Sequence, residues 1–317
     1  MTAKEVGGDV NQTLPESSSL DLEARSLAHQ AWEAQQKGDS AMAEELWRQS
    51  LALRTGIVGG DKDVVNQLAV ADTCSALADL MAASQRAKEA EAFLKQAAAL
   101  VAPLAANGER LDALDAHGTV LTDLGDLMLE SDRLRQAEGY YRQALAARRL
   151  LATKAGGMDA QRKLAQSFTN LADLLLDKEV FREAEGFYRR ALEITLVIQK
   201  QDNSHEVQTD LVFLYNGLGD SLDEIGSPEE AGECWEASLS IATGLTKRPD
   251  ADEESWHLLC QCLYRMTYLH AELQDDLSVA DLLGRWSAAL AMLSKERRGD
   301  FEEEYTRLTK ALGKKSR

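Results

Sequence analysis

The sequence predicts an all-α protein, an α-solenoid of antiparallel helix pairs, and three observations predict it. One string of residues recurs five times at a single fixed spacing. A second string recurs in the same phase. The composition favours long helices, with only 4 Pro in 317 residues and an abundance of Ala, Leu, Glu and Arg. Strand signals are missing: no β-branched residues alternate over a sustained run, and no Asn-Gly turn joins two such runs.

Taken along the chain, the first stretch is a polar leader, residues 1–18, which carries Pro15 and reads as disordered. It has neither the basic start nor the apolar centre of a secretory signal. The repeat array follows over 19–299. Its first marker is Ala43-Glu44 with Trp47, Ser50 and Leu51. It returns as Ala90-Glu91 with Leu94 and Ala97, as Ala137-Glu138 with Tyr141, Ala144 and Leu145, as Ala184-Glu185 with Tyr188, Ala191 and Leu192, and as Ala231 with Trp235, Ser238 and Leu239. Each copy lies 47 residues after the last. The second string keeps that phase: Leu77-Ala78-Asp79, Leu124-Gly125-Asp126, Leu171-Ala172-Asp173 and Leu218-Gly219-Asp220.

Each unit is therefore two helices with a tight turn between them. The turns fall at Gly38-Asp39, Ser84-Gln85, Ser131-Asp132, Asp177-Lys178 and Gly226-Ser227. The inter-unit loops hold Gly59-Gly60-Asp61, Asn107-Gly108, Gly156-Gly157, Asp202-Asn203-Ser204 and Pro249-Asp250, residues that stop helices and cap their starts. Small residues at 78, 125, 172 and 219, and at 90, 137, 184 and 231, let the paired helices approach. The bulky residue four places later fills the space between units. One hairpin has too little core, so stacked neighbours must bury a continuous one.

These residues resemble the tetratricopeptide repeat family. Its small residues at the eighth, twentieth and twenty-seventh places, and its aromatic at the twenty-fourth, are matched by Ala172, Ala184, Ala191 and Tyr188. The resemblance spans about residues 20 to 295 and implies a right-handed superhelix. The period departs from the family's usual 34 residues or so and looks like the long-unit variety of bacterial repeat proteins and, loosely, of kinesin light chains. A sixth unit is degenerate: Trp256–Ala271 reads as its first helix and Leu277–Leu293 as its second, with the phase slipped. A capping helix is expected over 300–313, where Phe301, Tyr305, Leu308 and Leu312 keep helical spacing, and a basic tail over 314–317.

Thirty-five Lys and Arg stand against 53 Asp and Glu, a net charge of -18, which disfavours nucleic acid and membrane as partners. Four Cys make no disulfide framework and suit a cytoplasmic protein. No phosphate loop, nucleophile elbow, dinucleotide fingerprint or metalloprotease motif occurs, so no catalytic residue and no cofactor is expected. The nearest approach to a metal site is His257, Cys260 and Cys262, with His270 further on. Cys260 and Cys262 point apart on a helix, and buried thiols packing as small hydrophobes account for them better, so no metal is expected.

In the resembled family the first helices line the concave surface. Carried onto this sequence, that implies a groove of Ser75, Asp79, Thr122, Asp123, Asp126, Thr169, Asn170, Asp173, Asn216, Asp220 and Asp223. The Asp ladder would attract a basic or amphipathic protein segment, whereas it could also hold neighbouring helices by side-chain hydrogen bonds. Repeats that clamp the carboxylate tail of heat-shock chaperones carry Lys and Asn on this face; here those positions hold Thr, Ser, Asn216 and Asp, so such a clamp is not expected. A scaffold binding a peptide or protein is the leading expectation. The resemblance also allows a regulatory or sensor subunit of an effector enzyme.

Overall fold

The computed structural model describes residues 16–57 and 64–315, with side chains described between Ser19 and Ala311. Most of the expected leader 1–18 and the Gly59-Gly60-Asp61 loop lie outside the described residues, as do the side chains of the basic tail 314–317 and of Leu312. Among the described residues there are thirteen helices and no strand. They divide into two compact units, residues 1–151 and 152–317.

The first unit contains α1 (Glu16–Gln36), α2 (Ser40–Ile57), α3 (Val64–Ala83), α4 (Ala87–Ala105), α5 (Leu111–Glu130) and most of α6 (Leu134–Ala155). The second contains α7 (Met158–Asp177), α8 (Phe181–Gln199), α9 (His205–Glu224), α10 (Pro228–Leu245), α11 (Glu253–Glu272), α12 (Asp276–Leu290) and α13 (Lys295–Lys315). α13 begins five residues before the expected capping helix, and Glu16 to Ser18 already belong to α1.

The repeat has a backbone basis. In every described turn within a pair, one residue adopts the left-handed conformation: Gly38, Gln85, Asp132, Glu179, Gly226 and Gln274. The residue after it donates its N–H to a carbonyl five places back, as in Arg133 to Met128 and Val180 to Leu175, both at 2.8 Å. This is the Schellman closure of a helix C-terminus. Four of the six positions are not Gly and hold a conformation that L-residues ordinarily avoid. The sequence places the turns correctly to within about two residues; the Asp177-Lys178 turn lies at 178–180.

Packing follows the small–large pattern. Ala43, Ala90, Ala137, Ala184 and Ala231 are fully buried or nearly so, as are Ala78 and Ala172. Tyr141, Tyr188 and Trp235 are almost wholly enclosed. The fit at Gly125 and Gly219 is close: a Cβ there would stand 2.4 Å from the Tyr141 ring and from the Trp235 indole, respectively. Ser50 and Ser238 occupy a place that is otherwise Ala; the buried Ser50 hydroxyl donates to the Ala24 carbonyl 26 residues earlier at 2.8 Å, and Ser238 Oγ lies 3.4 Å from the corresponding Val212 carbonyl. Ion pairs tie successive helix pairs together, Arg86 to Glu44 and Arg133 to Glu91 in the first unit, Arg162 to Asp202 and Arg297 to Glu254 in the second. The Glu91 carboxyl is held at about 2 by Arg133 and Lys95.

Candidate functional site

The recurrent Asp sits near the C-terminal end of each first helix, where the repeat turns it toward solvent. Asp79, Asp126 and Asp173 are exposed and Asp220 is half-buried. Three of the four also accept a hydrogen bond from the bulky residue fifteen places on: Tyr141 Oη to Asp126 at 2.5 Å, Tyr188 Oη to Asp173, and Trp235 Nε1 to Asp220 at 3.0 Å. The ladder thus fastens the second helix of a pair to the first, while Asp126 and Asp173 stay exposed to solvent. Where Leu94 takes the aromatic's place, the side chain has no donor to offer Asp79. In the first pair Trp32 takes the place of Asp, and the buried Trp47 Nε1 has no hydrogen-bond partner.

In the first unit the carboxylates crowd. The pKa of Asp123 is pushed up to about 7 by desolvation and then by Asp79 and Asp126. Asp79 and Asp126 are raised as well, chiefly by the protein around them. The Thr122 hydroxyl turns back onto the Gly118 carbonyl at 3.0 Å.

In the second unit, four expected groove residues line one cavity. Thr169, Asp173, Asn216 and Asp220 border a hollow of about 510 Å³ walled by α7, α8, α9 and α11. Phe213, 44% exposed, and Leu214 give it an apolar side; Arg162, Asp210 and Arg265 add charge. Asp210 is pushed up to about 6 by burial and by Glu206. Asn170, by contrast, bonds Gln166 at 2.7 Å, and Asp223 lies at a neighbouring hollow. Asn216 borders the cavity but is buried, its Oδ1 accepting from Ser238 at 2.7 Å. Thr169 donates to the Ala165 carbonyl.

Sequence reasoning missed Arg265. Its Nε and Nη2 reach both oxygens of Asp220, at 2.7 and 2.6 Å. This two-point pair neutralises one rung of the ladder. The signal was obscured because the sixth unit is out of phase with the others. Sequence reasoning also missed Phe213 and Asp210, which lie outside the positions carried over from the family.

Cys260 and Cys262 are fully buried free thiols, and burial pushes Cys260 up to about 12, which leaves it a protonated packing group. His257 tilts onto the Phe301 ring at 5.1 Å. No group of three or more His, Cys, Asp or Glu among the described residues could hold a metal ion. No helix among them is long and apolar enough to cross a membrane.

Residues 164–196, on α7 and α8, match the family model described as the tetratricopeptide repeat. A comparison with curated proteins finds no match. Among solved structures, the chain is similar to BtubC (BKLC) from P. vanneervenii, at 19% identity over 86% of this chain and 91% of that one, with a TM-score of 0.58. It is similar to the nuclear import adaptor Nro1 of S. pombe, at 15% identity over 93% and 99%, with a TM-score of 0.60. A putative kinesin light chain from Podosopora anserina with nearly identical repeats is 18% identical over 74% of this chain and 100% of that one, with a TM-score of 0.50.

Proposed function

This chain carries a tetratricopeptide repeat at 164–196 and the fold of that family in its helix pairs, the fold of a protein–protein interaction scaffold, and on that premise we propose that it binds a peptide or protein segment at the cavity of the second unit. The observation that carries the reading is the lining of that cavity. Phe213 and Leu214 offer an apolar wall, and Asp173 and Asp210 offer carboxylates at the same opening. A segment with an apolar side chain beside a basic one satisfies both, whereas an acidic side chain meets the carboxylates unfavourably, since Arg162 is already paired with Asp202 and Glu206 and Arg265 with Asp220. The proposed protein is non-catalytic, needs no cofactor and works in the cytoplasm; its four cysteines are free.

Asp173 serves two purposes in this reading. Its hydrogen bond from Tyr188 fixes the rotamer, and its remaining lone pairs face the cavity. Asp220 contributes less than the ladder implies, because Arg265 and Trp235 occupy both of its oxygens.

Affinity capture from the native host with the wild-type chain and with the Phe213→Ser/Asp210→Asn variant tests the proposal. Phe213 is 44% exposed and Asp210 half-buried, and circular dichroism of the variant checks that it is folded. Partners held by the wild type and lost by the variant support the cavity. Partners held equally by both overturn it. An effector enzyme among the lost partners gives the scaffold a regulatory role.

A further inference from the structure

The second unit holds another hollow, about 680 Å³, that adjoins the first through Leu176, Asp220 and Arg265. Two kinds of side chain line it. Asp177, Glu179, Asp223 and Glu224 supply carboxylates, and Phe181, Trp235, Tyr264 and Tyr268 supply aromatic rings. The one cation in its lining, Arg265, is committed to Asp220 through two hydrogen bonds. Trp235 Nε1 also donates to Asp220, which leaves that indole's ring as its contribution to the wall.

The remaining carboxylates therefore share a concave, aromatic-walled space with no second cation in its lining. Asp223 registers the crowding: burial, and then Glu272, Glu224 and Asp220, raise its pKa. Tyr264 and Tyr268 stand 6.4 Å apart, centroid to centroid. A positive charge entering here gains from the carboxylates and from the ring faces together. An anion gains from neither. A neutral group gains only the ring contact.

We propose that this hollow seats an arginine or lysine side chain of the segment bound in the adjoining cavity, its charged head among Asp177, Asp223 and Glu224 and its stem along Tyr264 and Tyr268. The proposal rests on the reading of the larger cavity as a peptide site, and it supplies what that reading lacks: a place for the basic residue separate from the place for the apolar one. The two chambers meet at the Asp220–Arg265 pair, so that pair forms the sill between them.

The test titrates the full chain calorimetrically with two synthetic peptides, acetyl-Leu-Gly-Arg-Gly-Leu-amide and the same peptide with citrulline, the neutral isostere, for Arg. The expected result is a preference for the Arg peptide of about tenfold. That preference disappears in Asp177→Asn/Glu224→Gln and persists in Glu229→Gln/Glu236→Gln, which removes equal charge elsewhere on the unit. Circular dichroism melts confirm that each variant is folded. Equal affinity for the two peptides overturns the proposal, as does a preference untouched by Asp177→Asn/Glu224→Gln, or no binding of the Arg peptide at millimolar concentration. The Phe213→Ser/Asp210→Asn variant separates this outcome from the failure of the larger cavity. Should that variant bind as the wild type does while Asp177→Asn/Glu224→Gln erases the preference, the cationic seat stands and the larger cavity falls.

Discussion

Replacing Gly125 by Ala tests whether the packing between the helices of a pair is set by contact or by helix propensity. Propensity alone favours the change by about 1 kcal/mol. Contact opposes it. The new Cβ would lie 2.4 Å from Cε1 and 2.5 Å from Cδ1 of Tyr141, so the ring must retreat by roughly 1 Å to reach ordinary van der Waals separation. Overpacking of this kind costs about 2 kcal/mol. The retreat also stretches the 2.5 Å bond from the Tyr141 hydroxyl to Asp126, worth about 1 kcal/mol when water can replace it. The net expectation is a loss of about 2 kcal/mol. The array contains one compensation in the α3–α4 pair, which sets Ala78 and Leu94 in the same two places, whereas the α7–α8 pair keeps Ala172 with Tyr188, a ring that stands 2.4 Å from where a Cβ at Gly217 of α9 would lie. In a Tyr141→Leu background, Gly125→Ala should therefore stabilise by up to about 1 kcal/mol, giving a coupling of about 3 kcal/mol between the two sites. Urea denaturation of the four chains, followed by circular dichroism, measures it. An equal effect of Gly125→Ala in both backgrounds refutes the contact argument.

Two further outcomes follow from side chains in the same positions. Trp32→Asp supplies the missing acceptor for the Trp47 indole, so it should be about 1–2 kcal/mol more stable than Trp32→Ala, and that advantage should vanish in Trp47→Phe; urea midpoints decide it. The Asp123 carboxyl, raised to about 7 when folded against about 3.9 when unfolded, favours the folded state most at low pH. Its contribution is fully present below pH about 4 and is lost as pH rises through about 7. Asp123→Asn should accordingly flatten the fall in melting temperature over that window, and an unchanged slope in a pH series of thermal melts counts against the assignment.

The helix pairs were legible because the period fixes them twice, once in the buried Ala of the second helix and once in the small residue of the first. The turns were legible to within about two residues through Gly38 and Gly226, although Gln85, Asp132 and Glu179 hold the same backbone without advertising it. The site was only partly legible. Asp126, Asp173 and Asp220 were found as a series, and the donors that hold them were also in the sequence, since Tyr or Trp stands fifteen residues after each. What hid the cavity was the local change of one residue against the pattern. Ser238 replaces Ala and draws Asn216 into the core. Arg265 arrives from a unit whose register has slipped, and takes up Asp220. Periodicity describes what units share, whereas this cavity is made by what they do not.

The left-handed residue that closes each hairpin has one more consequence. From Gly38 to Gly226 it recurs without a change of interval, while the described segments joining one pair to the next within that span differ in length, two residues at 156–157 against five at 106–110 and 200–204. The chain gives up helix where it gains loop and keeps the total constant. Every hairpin turn is thus an equivalent junction. A cut after Gln85 rejoined before Arg133 would remove α4 and α5, one pair's length of chain, and restore the same closure between α3 and α6, with Arg133 donating to Met81 as Arg86 does now. A chain with such interchangeable joints can lengthen or shorten by whole pairs while the pairs on either side keep their own internal packing.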